Sequence, residues 1–323
     1  MIRTCLFAVC FFAAGTLYAH AEETGVAKAM IHLSEGDYEL AFAVAAPLAA
    51  EGDDQAQHLI GILSENGLGI TRDIASALSH YEQAALQGNA DAQFAIAKLT
   101  LEGVDVIRDA EKAAGWLKLA AMRGHARAQA RLGLLFMGGL GLPNDPARAA
   151  SLFEGAALAG DEMGQFNLGL VFLNGDGVTA NDDKAAYWLM KAAEQGHAGA
   201  QFNLALLYES GRAGDDLKSK AARWMRMAAQ AGLPEAMTAM GLMVHDGADG
   251  AGFSAADWFE KSAKTGHGEG QFLYAVALAE GDGRKKDKKL ALAWVERALE
   301  GDALSAETRK GAQGLKKRLA AGG

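Results

Sequence analysis

Seven glycines, Gly52, Gly88, Gly124, Gly160, Gly196, Gly232 and Gly266, open seven near-copies of one stretch, spaced 36 residues apart five times and then 34. A fixed period in this range is the signature of a solenoid: each unit is too small to bury its apolar face alone and must stack on its neighbours. The best-formed copy, Gly160–Gln195, reads as two helices joined by a Gly-rich loop. No Val/Ile/Thr-rich alternating runs stand between turn dipeptides, so the chain is expected to be all-α.

Counting each opening glycine as column zero, the first half of the unit shows helical spacing, with Phe166, Leu168, Gly169 and Phe172 in the fourth copy. Column nine is always small: Gly61, Ala97, Gly133, Gly169, Ala205, Gly241 and Ala275. A glycine inside a helix costs about 1 kcal/mol relative to alanine, so its recurrence implies the close approach of a partner helix. Column fifteen is glycine in every copy, from Gly67 to Gly281, where a helix-ending residue with positive φ belongs.

The second helix is expected to start at Asp73, Asp109, Asp145, Asn181 and Asp287, short acceptors suited to capping the free N–H groups of a first turn. Pro146 directly after Asp145 fits the first helical position. Column twenty-five is alanine seven times, from Ala77 to Ala291, and all five tryptophans (Trp116, Trp188, Trp224, Trp258, Trp294) share one column. That column is expected to face a recurring interior slot between helices, with Trp188→Ala costing about 3–5 kcal/mol.

The pattern A-Q-x-x-L-G-x-x-[FY]-x-x-G-x-G-V followed by D-x-x-K-A-x-x-W-x-x-x-A-A-x-x-G resembles the Sel-one-like repeat family, a relative of tetratricopeptide repeats, from about Gly36 to Asp302. The resemblance implies a right-handed α/α superhelical solenoid of roughly fifteen antiparallel helices. The expected layout is a leader at 1–21, a helical half-repeat cap at 22–51, seven repeats over 52–301 and a basic capping tail at 302–323.

Residues 1–21 carry Arg3, an apolar run from Cys5 to Leu17 and a closing Ala19-His20-Ala21. They read as a secretory signal peptide with an A-x-A cleavage site, too short for a comfortable transmembrane span. The mature protein is then expected to begin at Glu22, in the periplasm or outside the cell, without a lipid. Both cysteines, Cys5 and Cys10, lie in the leader, so the mature chain has no disulfide, thiolate nucleophile or zinc–sulfur site. In the cap, Asp37 and Ala41 keep the second-helix register, and Pro47 is expected to kink that helix. The loops of repeats two, five and six depart from the pattern; that of repeat six, GADGAGFSAAD, is two residues short and offers no clear cap.

Charge is divided unevenly. Residues 284–318 carry 11 basic and 5 acidic side chains in a chain of formal charge −9. The basic end admits an anionic contact or a plain solvated cap; so confined a patch on an acidic chain argues against nucleic acid. His125, His197 and His267 share one column, a repeat feature rather than a converging ligand set, so no metal site and no cofactor is expected. The run NGDGVTANDD from Asn174 lacks the alternating ligands and terminal Glu of an EF-hand. Some secreted members of the family are cysteine-rich and associated with β-lactam binding or hydrolysis. This chain lacks their cysteine pairs and has no Ser-x-x-Lys, Ser262 and Lys264 being one residue too close.

What the resemblance implies is therefore a non-catalytic scaffold or adaptor holding a protein partner of the cell envelope, such as a sensor kinase or an assembly component. The alternative is a cell-wall-active or glycan-binding protein. A helical wheel of the first helix puts Gly164, Leu168, Gly169 and Phe172 toward the core, and columns three, seven, ten and fourteen opposite. In related solenoids that opposite side lines the concave groove. Column ten is apolar in six of seven copies, Lys98 being the exception, beside Arg131, Asn167 and Asn203 in column seven. An apolar row edged by polar groups suits an extended peptide or a partner helix. Arg131, Asn167, Leu170, Asn203 and Leu206 are the candidate partner site, the competing expectation being burial of column ten against neighbouring first helices.

Overall fold

The computed structural model describes residues 25–103, 105–214, 217–301 and 304–321; the leader reading falls outside them. Among the described residues there are 17 α-helices and no strand. No helix among them is long and apolar enough to cross a membrane. The chain divides after Asp161 into two compact units.

The first unit holds α1 (Val26–Glu35), α2 (Tyr38–Ala50), α3 (Asp54–Asn66), α4 (Ile74–Leu86), α5 (Ala90–Glu102), α6 (Ala110–Met122), α7 (Ala126–Gly138) and α8 (Pro146–Leu158). The second holds α9 (Glu162–Asn174), α10 (Asp182–Glu194), α11 (Ala198–Glu209), α12 (Lys218–Gln230), α13 (Pro234–His245), α14 (Ala255–Lys264), α15 (Gly268–Glu280), α16 (Lys288–Glu300) and α17 (Ala306–Ala321). Within each unit a helix packs chiefly on the one before and the one after it, as a solenoid requires. The helix count exceeds the expected fifteen by two, because the N-terminal cap forms a pair, α1 and α2, and α17 follows the seventh repeat. Helix α2 runs through Pro47 to Ala50. Pro47 and Ala43, whose carbonyl loses its intrahelical donor there, are both exposed, so water can take the place of the missing N–H.

Local chemistry sets the helix ends. The side chains of Asp73, Asp109, Asp145, Asn181 and Asp287 each accept a bond from the backbone N–H three residues on, at 2.9–3.0 Å. The column-fifteen glycines all take left-handed φ, between 62° and 101°. Repeat six does have a cap, contrary to its sequence appearance. Ser254 Oγ accepts from Asp257 N–H while the Asp257 carboxylate accepts from Ser254 N–H at 2.8 Å, a closed capping box. The cap was hidden because α14 starts late and has only 10 residues where the other second helices of the repeats have 13.

The interior is a ladder of one contact repeated. Column nine of the first helix lies against column twenty-nine of the second, occupied by Tyr81, Leu117, Phe153, Leu189, Met225, Phe259 and Val295, all at most 6% exposed. A Cβ on Gly61, Gly133, Gly169 or Gly241 would fall 2.4–2.7 Å from the facing Tyr81, Phe153, Leu189 or Phe259. All three aromatics of the column face a glycine, and Leu117, Met225 and Val295 share their repeats with an alanine. The missing Cβ admits a ring at Gly61, Gly133 and Gly241, and the branched Leu189 at Gly169.

The tryptophans are one position off this ladder. Trp258 and Trp224 are buried, at 1% and 9% exposure, but Trp116, Trp188 and Trp294 are only half-buried. One residue is about 100° of helix rotation, enough to leave Trp116, Trp188 and Trp294 at the edge of the sealed slot. There Arg297 stands over the Trp294 ring and Arg223 over that of Trp224. The expected 3–5 kcal/mol loss for Trp188→Ala therefore belongs to the sealed column instead.

Successive units are bolted by a glutamine in column five, buried at Gln57, Gln93 and Gln201 and half-buried at Gln129. Gln57, Gln93, Gln129 and Gln201 each donate Nε2–H to a carbonyl eight residues back, in the preceding second helix, at 3.0–3.4 Å. A buried amide is stable only when bonded. Here its bond fixes the distance between one repeat and the next.

Candidate functional site

On the side of each first helix that faces away from the ladder, column seven is buried at Leu59 and Ala95 but column ten stays open. Ile62, Lys98, Leu134, Leu170 and Val276 are half-buried, and Leu206 and Leu242 reach 40% and 41% exposure. None is sealed against a neighbouring first helix.

Of the five candidate partner residues, Arg131 belongs to the first unit and the other four to the second. Asn167 and Leu170 lie on α9, Asn203 and Leu206 on α11, each pair one turn apart. These helices are neighbours, since Phe166 of α9 stacks on His197 at the head of α11, with ring centroids 4.1 Å apart. Asn167 Nδ2 donates to Met163 O and Asn203 Nδ2 to Gly199 O, each at 2.8 Å and four residues back. Both amides are thereby held against their own helices, which leaves the Oδ1 acceptor and one N–H for a partner. Leu170 lies half-buried against the second unit's core, whereas Leu206 projects.

Around Arg131 the first unit forms two adjoining hollows that share Lys98. One, of about 330 Å³, is lined by Leu101, Glu102, Arg108, Arg131, Leu134 and Leu140 among others. The other, of about 280 Å³, includes Ile62, Glu65, Asp91, Phe94 and Arg127. Lys98 Nζ is 2.6 Å from Glu65 Oε1, and the Tyr81 hydroxyl donates to Glu65 Oε2 at 2.8 Å. Asp91 meets His125 Nε2 at 3.1 Å, and the Arg127 guanidinium stands over the Phe94 ring, 5.4 Å from its centroid. Sequence reasoning named Arg131 here and passed over Arg127, Phe94 and Glu65. The wheel held the signal for Arg127, in column three.

The histidine column is structural. Nδ1 of His125, His197 and His267 accepts from the N–H three residues on, at 3.0–3.3 Å, so each imidazole caps a first helix. This requires an unprotonated Nδ1. Burial lowers the pKa of His197 against the opposing pull of Glu162, and burial likewise lowers those of His58 and His80. With folded values below the unfolded 6.5, these groups stabilise the fold fully above about pH 6.5 and less as pH falls through their folded values. The melting temperature is accordingly expected to decline between pH 7.5 and 5. Replacing His197 with Asn, the cap used at Asn89, should reduce that slope; an unchanged slope would remove His197 from the account. Asp257 and Glu260 act lower on the scale. Burial pushes both up, but the Ser254 bonds and Arg284 hold Asp257, and Lys264 with Arg284 holds Glu260, below the ordinary carboxylate range.

The hydroxyl considered for acylation chemistry is closed off. Ser262 is fully buried; its Oγ donates to Pro234 O at 3.0 Å and lies 2.8 Å from Thr238 Oγ1 and 3.2 Å from His267 Nδ1. A serine without solvent access cannot meet a substrate. His32, Glu35 and Asp37 bring possible ligand atoms together at the end of α1. The two carboxylates are exposed and the His32–Glu35 separation is 3.7 Å, a surface pair one helical turn apart.

The Sel1 repeat family model matches this chain over residues 54–89, 90–125, 126–161, 163–197, 198–233, 234–267 and 268–302. Among solved structures, a Sel1 repeat protein from Oxalobacter formigenes is 27% identical, with a TM-score of 0.66 and 93% of each chain covered. A protective antigen of uropathogenic Escherichia coli strains, described as displaying an SLR fold, is 24% identical with a TM-score of 0.62, covering 91% of this chain and 84% of the other. No curated protein matches the chain. Seven matched repeats, in step with the helix pairs and caps described above, place the chain in the Sel1 repeat family.

Proposed function

We propose that this protein is a non-catalytic scaffold that grips a protein partner on its first-helix face. Sel1 repeat proteins generally mediate protein–protein interaction. The observation that carries the reading to this face is column ten, a row of mostly aliphatic side chains that the fold leaves half-buried or exposed in all seven repeats. Apolar area of that kind supplies affinity, and Arg131, Asn167 and Asn203 beside it in repeats three to five supply register. The site of action is the periplasm or the exterior, on the strength of the leader-like residues 1–21. The partner is a cell-envelope protein, a sensor kinase or an assembly component being the types the scaffold suits. Exposed Lys310, Lys317 and Arg318 on α17 offer an anionic contact at the C-terminal end.

The test is the double variant Asn167→Ala/Asn203→Ala. Each amide's structural bond is to its own helix on a partly exposed surface, so the melting temperature is expected to stay within about 2 °C of the parent, as for changes outside a core. Capture of the partner found by crosslinking in the native cell is expected to be lost. A folded double variant that still captures it would count against this face.

A further inference from the structure

We infer that the first unit's groove takes an acidic peptide segment carrying an aliphatic side chain; this rests on the reading that the first-helix face holds a protein partner. The argument is one of unneutralised charge over an apolar floor. Of the groove's acids, Glu65 is engaged by Lys98 and the Tyr81 hydroxyl, and Asp91 by His125. Arg108 and Arg131 have no ion pair among the described residues, and Arg127 has only the face of Phe94. Against these three guanidinium groups stands one further acid, Glu102, in the hollow of about 330 Å³. The groove thus carries an excess of positive charge in a chain whose formal charge is −9.

The hollow that Arg108 and Arg131 line is rich in leucine. Leu101 and Leu134 are half-buried and Leu140 is 53% exposed at the rim of a hollow of about 330 Å³. Guanidinium groups match carboxylates as paired donors, and the leucines match an aliphatic side chain. Arg127 and Arg131 are four residues apart on α7, about 6 Å along the axis. Alternate side chains of an extended strand are spaced about 6.6 Å. Carboxylates at alternate positions, with an aliphatic residue near them, fit both features. A nucleic acid or anionic lipid surface would use the arginines but leave the leucine floor without a role.

The experiment is fluorescence anisotropy on the full chain with a labelled Gly-Asp-Leu-Asp-Leu-Asp-Gly amide and its counterpart carrying Lys for Asp. The Asp probe is expected to bind at least about tenfold more tightly than the Lys probe, a preference that shrinks with salt as screening grows. Arg131→Glu is expected to abolish the preference, and Arg127→Glu/Arg131→Glu to reverse it, with thermal melts confirming that both variants fold. Equal binding of the two probes, or an unaltered preference in a folded double variant, would overturn the inference. So would displacement of the Asp probe by polyphosphate or phosphatidylglycerol vesicles more effectively than by unlabelled probe. The two readings fail separately. Partner capture that survives Arg127→Glu/Arg131→Glu but is lost in Asn167→Ala/Asn203→Ala sinks the acidic peptide and spares the scaffold.

Discussion

Phe153→Ala is expected to cost about 3–5 kcal/mol, and to reverse the sign of a second substitution made opposite it. Phe153 is 1% exposed and its Cε1 lies 2.6 Å from where a Cβ on Gly133 would stand. In the parent protein Gly133→Ala drives that methyl into a rigid, enclosed ring. The overpacking cost, about 1–3 kcal/mol, exceeds the roughly 1 kcal/mol that alanine gains in a helix. With the ring removed, the same methyl enters the space left behind and the helix gain remains. Gly133→Ala should therefore destabilise the parent and stabilise the Phe153→Ala protein. Urea unfolding of the four proteins gives the coupling, expected to exceed about 1 kcal/mol, since residues in direct contact do not add. Additivity would mean that column nine is small for some other reason.

Gly270→Ala is expected to be the more disruptive of two glycine replacements, and Ser262→Ala to repair it. A Cβ on Gly270 would lie 2.2 Å from Ser262 Oγ, 2.6 Å from its Cβ and 3.1 Å from the backbone nitrogen of Ala263. Little of that can yield, because Ser262 is fixed by Pro234 O, Thr238 and His267. A loss at the upper end of about 1–3 kcal/mol is expected. Elsewhere the Ser262 column is alanine, as at Ala84, Ala120 and Ala156, and the Gly270 column is alanine at Ala92, Ala128 and Ala200. The joint between repeats six and seven has exchanged an alanine pair for Ser and Gly. Ser262→Ala/Gly270→Ala restores the common pair and should melt within a few degrees of the parent. A double variant as unstable as Gly270→Ala alone would show that the clash is with the retained Cβ and the backbone rather than with Oγ.

These pairs show what a single sequence can and cannot disclose. Caps at Asp73 through Asp287 and left-handed glycines were legible because each answers a local backbone demand that few residue types meet. The sealed column was not, because Tyr81, Leu117, Phe153 and Val295 share burial without sharing identity, whereas tryptophan draws the eye to the column beside it. The Ser254 box was missed because α14 begins three residues late, so its cap stands outside the column where caps recur. Periodicity alone located the open face and with it Arg131, Asn167 and Leu206. It could not show that Lys98 is spent on Glu65, or that Asn167 and Asn203 bond back to their own helices. The first depends on side-chain directions across repeats and the second on the rotamer chosen within one helix.

The Gly133–Phe153 fit has a consequence for how a chain of this kind changes length. Both partners lie in the same repeat, so duplicating or excising a whole 36-residue cassette carries every such fit along intact. A breakpoint in the loop between the two helices would instead join a glycine from one copy to a side chain sized for another. The Ser262–Gly270 joint obeys the opposite rule. Its halves come from different repeats, so a cassette inserted between repeats six and seven would set Ser262 against whatever residue its first helix holds in the Gly270 column, and only a glycine there leaves the hydroxyl room.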